Sequence, residues 1–242
     1  MDDSPLKRID GRLPNEIRPF SLDWDPMGFA LSSVLIKTGR TAVLCSISIQ
    51  NCVPKWLEGQ GRGWLSAEYR LLPGSTPVRQ QRELIKLSGR TQEIQRLIGR
   101  SLRSIIDMEV LGEKTLLVDC DVVQADAGTR TASITGSWVA LSKALQRLIN
   151  QNKLVQNPLR GQVAALSVGL LDGQPLLDLN YSEDSKVDLD LNIVMTADGS
   201  LIEIQGSAEG EPFSRDQLDL LLDIAQPGFN QLHKAQISVL KK

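Results

Sequence analysis

Histidine is nearly absent from this chain. His233, beside Lys234 near the C-terminus, stands alone in 242 residues, and an imidazole in that setting reads as a surface or interface residue. With the one histidine so placed, a Ser-His-Asp or Cys-His nucleophile is not expected. Cysteine is sparse too. Cys45, Cys52 and Cys120 are odd in number and form no CxxC pair, which argues against a disulfide framework and against a zinc site. Aromatic residues make up 4% of the chain, and Trp56, Trp64 and Trp138 form no evident stacking platform and read as packing residues. No run approaches the ~18 apolar residues of a membrane span. The opening residues, Met1 to Pro5, lack the apolar stretch of a signal peptide. No GxxxxGK[ST] loop occurs, and the cluster Gly59-Gln60-Gly61-Arg62-Gly63 precedes no helix. These absences predict a cytoplasmic protein, without a membrane partner, whose chemistry needs no protein nucleophile.

What is present is ordinary in total and uneven in detail. Apolar residues at 41% and charged residues at 23% suit a soluble globular chain, long enough for one large domain or two fused small ones. A net charge of −2 argues against a general nucleic-acid coat. Yet seven basic residues (Arg79, Arg82, Lys86, Arg90, Arg96, Arg100, Arg103) face only Glu83 and Glu93 across 79–103, whereas thirteen acids face Lys186 and Arg215 across 172–223. A basic segment can hold phosphates. An acidic one can hold a metal or simply be solvated.

Hydrophobic periodicity organises the chain. Apolar runs at 30–36 and 42–49 around Lys37-Thr38-Gly39-Arg40 predict a hairpin, and 64–72 a further strand. Pro73, Gly74, Ser75, Thr76 and Pro77 open a loop over 73–81. Ile94, Leu97, Ile98, Leu102, Ile105 and Ile106 share one face of a helix over 90–107. A strand at 115–123 leads to a helix at 133–150, then strands at 163–171 and 176–179. A second hairpin, 187–196 and 201–205, turns at Ala197-Asp198-Gly199-Ser200. Ser214 and Gln217 fit a capping box opening a last helix, which Pro227-Gly228 should break or kink. Strand pairs followed by a helix occur twice, predicting an α+β fold of two similar halves with antiparallel or mixed sheets packed on helices.

The richest segment runs from Cys120 to Ser133. A strand feeding a helix through a small polar turn leaves the first helical N–H groups unpaired, with the positive end of the helix dipole behind them. That arrangement suits an anion, and Arg130 adds a planar fork for phosphate. Simple capping uses the same residue types, so both readings stand. Arg90 begins another helix and could meet Gly128-Thr129-Arg130 on one phosphate. Asp178 and Asp184 lie six apart across a strand end; if the chain turns after Asn180, both could reach a Mg²⁺, and singly each reads equally as a turn or surface acid. Asp188 and Asp190 alternate with Leu189 and Leu191 as a strand would.

The order of several short stretches is specific where each alone is weak. Asp10-Gly11-Arg12, Gly63-Trp64-Leu65-Ser66-Ala67-Glu68-Tyr69, the run from Ser88 to Arg100, Asp119 to Asp126, Gly128 to Ser133, Leu177 to Tyr181, Glu183-Asp184-Ser185, Val194-Met195-Thr196 and Glu203 to Gly206 follow one another along nearly the whole chain. So arranged, the chain resembles the ribonuclease PH family of phosphorolytic tRNA nucleotidyltransferases. The resemblance implies a single catalytic domain over residues 1–242, assembled as a homohexamer (a trimer of dimers). It implies that inorganic phosphate, as co-substrate, releases nucleoside 5′-diphosphates from the 3′ ends of tRNA precursors and other structured RNAs. By the same resemblance Arg90, Gly128, Thr129 and Arg130 bind the phosphate, Asp178 and Asp184 are catalytic and hold Mg²⁺, and Arg79 and Arg82 guide tRNA. Two positions depart from the family pattern: Ala127 stands where glycine is usual, and Gly74 where an arginine often sits. The alternative is a non-catalytic, RNA-binding ring subunit of an exosome-like assembly. Arg96, Arg100 and Arg103, spaced along one helix face, read as a solvated stripe or, in a ring, as partners for a neighbour's acids.

Overall fold

The computed structural model describes residues 8–241, so the opening Met1–Pro5 segment lies outside the described residues. Five strands, β1 (Phe20–Trp24), β2 (Ser32–Thr38), β3 (Thr41–Gln50), β4 (Trp64–Leu71) and β5 (Thr115–Gln124), form a sheet in the order β1-β2-β3-β5-β4. Its pairs are antiparallel except β4 with β5. That parallel pair needs a crossover, which α1 (Gly89–Arg103) and the short α2 (Met108–Leu111) supply. The second sheet, order β7-β6-β8-β9, is antiparallel throughout and contains β6 (Val163–Leu171), β7 (Gln174–Leu177), β8 (Leu189–Thr196) and β9 (Leu201–Ala208).

One helix joins the halves. α3 (Thr129–Asn150) packs on β2 and β3 of the first sheet and on β6 of the second. It is therefore buried nearly all round, as a helix between two apolar sheets must be. Gly136 permits the close approach, since a Cβ there would come within 2.8 Å of Ile36. On the far side of the second sheet, α5 (Arg215–Leu240) lays Leu221, Ala225, Phe229 and Leu232 on β6 and β7. Phe229 is 0% exposed. Phe229→Ala should destabilise the fold by about 3–5 kcal/mol, read as a lower urea midpoint with an unchanged slope.

The α+β architecture agrees with the periodicity, and the departures have local causes. α1 stops at Arg103 because Asp107 accepts hydrogen bonds from Glu109 N and Val110 N and starts α2 there. α3 begins at Thr129, a turn before the expected 133, because tertiary burial of Thr129, Thr131 and Ala132 overrides the poor helix propensity of threonine. α5 runs through Pro227 without a break, held by the apolar face flanking it. Strand β1 escapes the pattern because only Phe20, Leu22 and Trp24 mark it. His233 is buried, not a surface residue; it stacks on Phe229, and burial lowers its pKa. Trp56 is 60% exposed and meets Trp64 edge-on, so it is not a core residue. The arginine stripe is largely spent inside the subunit. Arg100 pairs with Glu203 of β9, and Arg103 covers the Trp64 ring and donates to Leu65 O. Arg96 stays exposed.

Candidate active site

The carboxyl end of β5 and the start of α3 make the centre of the site. Ala125 N donates to Ser75 O at 2.8 Å, and Asp126 N donates to Thr41 Oγ1 at 3.2 Å, steering the chain as it leaves the strand. Gly128 then occupies the N-cap position with φ 69°, a left-handed conformation that glycine adopts without strain. No side chain caps this helix, and among the described residues no acceptor meets the N–H groups of Gly128, Thr129 or Arg130. The other long helices differ: Ser88 caps α1, and a complete Ser214/Gln217 box caps α5. Uncapped donors beside solvent leave an anion position at α3.

These donors open onto a cleft of about 910 Å³ lined by Tyr69, Arg90, Gly128, Thr129, Tyr181 and Asp184, among others. Arg90 enters from the first turn of α1 and is exposed there. Tyr69 hydrogen-bonds Thr129 Oγ1 at 2.8 Å; burial pushes its phenol pKa up, against that hydrogen bond and the charges of Arg90 and Arg130. Arg130 lies deeper, its Nη1 3.4 Å from both Glu93 Oε1 and Gln205 Oε1. The structure thus brings Arg90, Gly128, Thr129 and Asp184 to one cleft, while the Arg130 guanidinium is turned toward Glu93 and Gln205 and does not line it.

Asp184 closes α4 (Tyr181–Asp184), a single turn started by an Asn180/Glu183 capping box. Glu183 in turn holds Arg8 through contacts of 2.6 and 2.8 Å. Desolvation by the cleft walls pushes the Asp184 pKa up and nearby Asp190 adds to it, while Arg90, Arg130 and Arg18 oppose it. Asp184 is therefore a carboxyl that keeps its proton to higher pH than a free aspartate. Asp190, whose alternation with Leu189 and Leu191 marked it only as a strand residue, is the carboxylate nearest it in effect.

Asp178 sits elsewhere. It is 1% exposed, at a left-handed turn with φ 52°, and both its oxygens face Arg18: Oδ2 accepts from Arg18 N at 2.7 Å and Nε at 3.1 Å, Oδ1 from Nη2 at 2.8 Å. The chain turns at Asp178 itself, before Asn180, which sends its carboxylate behind the α3 terminus while Asp184 faces the cleft. Both Asp178 oxygens are thus engaged by Arg18, whereas Asp184 lines the cleft. Among the described residues no group of three or more Asp, Glu, His or Cys side chains could enclose a metal. Asp184 with Asp190 nearby does suit Mg²⁺, which takes one or two carboxylates together with substrate oxygens and water.

Arg79 and Arg82 lie exposed on the loop over 72–88, whose Val78 and Gln80 line the cleft. Gln80 N donates to Pro73 O at 2.9 Å, folding this loop back on itself.

The profile of the 3′ exoribonuclease family matches in two parts, domain 1 over residues 16–145 and domain 2 over 161–228. The chain belongs to this family. Ribonuclease PH of Synechococcus sp. (strain CC9605) is 67% identical over 236 residues, covering 98% of this chain and 96% of that protein. Ribonuclease PH of Prochlorococcus marinus (strain MIT 9313) is 64% identical, covering 98% and 97%. Among solved structures, rice (Oryza sativa) Rrp46 matches with a TM-score of 0.79 at 21% identity, covering 96% of this chain and 100% of that one. The Archaeoglobus fulgidus exosome with RNA bound to the active site matches with a TM-score of 0.78 at 22% identity, covering 95% and 92%. Those two show a shared fold.

This member of the 3′ exoribonuclease family is an enzyme of the ribonuclease PH type, a phosphorolytic 3′-to-5′ exoribonuclease of tRNA processing. Neither of its two departures from the family pattern strains the backbone. Ala127 has no positive φ, that strain falling on Gly128 instead, so the methyl group is accommodated. Gly74 is exposed at the cleft, and a Cβ there would meet nothing within 4 Å. Gly74→Arg should therefore fold normally and bind tRNA more tightly, with the log–log salt slope steeper by about 0.7–0.9 for one added phosphate contact; filter binding across a salt series measures it. Among the described residues no helix is long and apolar enough to cross a membrane.

Proposed function

We propose that inorganic phosphate sits at the uncapped start of α3, on the N–H groups of Gly128, Thr129 and Arg130 and the guanidinium of Arg90, with Arg130 adding charge from behind. The observation that carries this reading is the set of unpaired N–H donors opening on the same cleft as Arg90 and Asp184. Two anions must approach each other in this reaction. The fixed donors and cations offset their repulsion, and the cleft aligns them. A phosphate oxygen attacks the 3′-terminal phosphorus, the bond to the preceding 3′-oxygen breaks, and that oxygen takes a proton from Asp184. The products are a shortened RNA with a free 3′-hydroxyl and a nucleoside 5′-diphosphate. Asp190, beside Asp184, would hold Mg²⁺ together with substrate oxygens and water, and the ion would neutralise charge on the transferring phosphoryl group, while Asp184 keeps its proton for the leaving oxygen. Asp178 contributes through Arg18, one layer behind the anion.

Arg79 and Arg82, exposed on the cleft-side loop, guide the tRNA acceptor stem through its phosphates. The active assembly is a homohexamer and works in the cytoplasm. The two family segments form a single catalytic unit, because α3 shares one core with the first sheet and with Val163, Ala165 and Val194 of the second. Retention of Arg90, Arg130, Asp178 and Asp184 favours the enzyme over a structural ring subunit.

The test is a tRNA with a short labelled 3′ extension, incubated with enzyme and Mg²⁺ with and without phosphate. Nucleoside diphosphates formed only with phosphate are expected, and excess nucleoside diphosphate should extend the RNA again. RNA binding without cleavage under either condition would instead identify a structural ring subunit.

A further inference from the structure

Two glycines make room for one buried arginine. Arg18 is 3% exposed and lies between Gly39 and Gly128, both at positive φ. A Cβ on Gly39 would fall 2.8 Å from Arg18 Cδ, and one on Gly128 would fall 2.9 Å from Arg18 Nη2. The far end of this guanidinium reaches the loop that precedes α3: Nη1 donates to Ala127 O at 3.2 Å. Thr41, also buried, donates its hydroxyl to the same Ala127 oxygen at 2.6 Å. Asp178 grips the other edge of Arg18 and sets its plane.

A trans peptide is planar, so its carbonyl and the following N–H point in opposite directions. No cis peptide occurs among the described residues. With the Ala127 carbonyl drawn inward by two donors, the Gly128 N–H is turned away from the core, toward the cleft that Gly128 lines. We infer that Arg18 and Thr41 are positioning residues for phosphate: together they hold the Ala127–Gly128 peptide with its N–H aimed at the attacking anion. The inference rests on the placement of phosphate at the start of α3. It explains why a fully buried hydroxyl and a buried guanidinium converge on one carbonyl, where a single donor would satisfy that oxygen. It also gives Asp178 a part that needs no contact with substrate.

Steady-state phosphorolysis at saturating tRNA, with phosphate varied, separates this role from a structural one. Thr41→Val keeps the shape and removes the hydroxyl, and should raise the phosphate KM about ten-fold with kcat within about two-fold. Thr41→Ser should restore the parent KM. Arg18→Lys, which keeps the charge and loses the fork, should raise the phosphate KM as well. Arg90→Ala is the reference. If it raises the phosphate KM and folded Thr41→Val does not, the positioning role is overturned. If neither changes it, the phosphate placement itself fails. A measurement on the unaltered enzyme stands apart from any folding defect: with ¹⁵N-glycine labelling, the Gly128 amide should shift on titration with inorganic phosphate, and an unmoved resonance would overturn the inference.

Discussion

Asp184→Asn should lower kcat by about 10³-fold, within the 10²–10⁴ typical of general acid–base catalysis, while the phosphate KM changes little. Asparagine preserves size and can still accept a hydrogen bond, but it has no carboxyl proton to give to the departing 3′-oxygen. The pH dependence should change with it. Asp184 has its pKa raised, mainly by desolvation and then by Asp190, so the protonated form persists above the usual carboxylate range. Activity that depends on that proton falls as pH rises through the raised pKa, and this limb should vanish in the variant. Stability has a definite sign as well. A carboxyl whose folded pKa lies above its unfolded value contributes stability below the unfolded pKa and loses it as pH rises through the folded one. Above its raised pKa ionised Asp184 therefore burdens the fold, and there Asp184→Asn should unfold at an equal or higher temperature. A large loss of turnover without loss of stability marks a chemical role, and calorimetry beside the kinetics would detect it.

Arg90→Ala should cost about 10²–10³-fold in kcat/KM for phosphate, the range seen when one preorganised charged donor is removed from an anion site. Arg90 is exposed in the first turn of α1, so its truncation should change stability by no more than about 0.5 kcal/mol. Arg90→Lys should recover part of the loss, because an ammonium keeps the charge without the planar fork. Arg130→Ala is a less clean probe. That side chain lies near Glu93 and Gln205, so its loss disturbs the packing of α1 and β9 together with the site. Phosphate-dependence curves for the Arg90 variants, with thermal melts as controls, test the assignment.

The parts of the site that could be read from the sequence are those whose chemistry is local. A glycine, a threonine and an arginine between an apolar strand and a helix suggest an anion loop because the donors come from consecutive residues. Arg90 follows the same logic at α1. Asp184 was visible as an acid after a strand end, and the capture of Asp178 by Arg18 was not, because that depends on a left-handed turn at Asp178 and on a partner 160 residues away. Arg18 carried no local signal at all: one arginine after an isoleucine looks like any solvated residue until the fold buries it. Asp190 was hidden for the opposite reason, since its alternation with leucines explained it fully as a strand residue. The same contrast holds for the fold. Long periodic elements such as β5 and α5 were legible, whereas the five-residue β1 and the early start of α3 depend on tertiary burial.

The central claim is that phosphate itself is the nucleophile, held at the start of α3. Incubating the enzyme with unlabelled tRNA precursor, Mg²⁺ and ³²P-labelled inorganic phosphate tests it most directly. Released nucleoside diphosphates should carry the label in their β-phosphoryl group, with that labelling much reduced in Arg90→Ala and Asp184→Asn. Unlabelled nucleoside monophosphates as the sole product would mean that water attacks the chain, and would contradict the account.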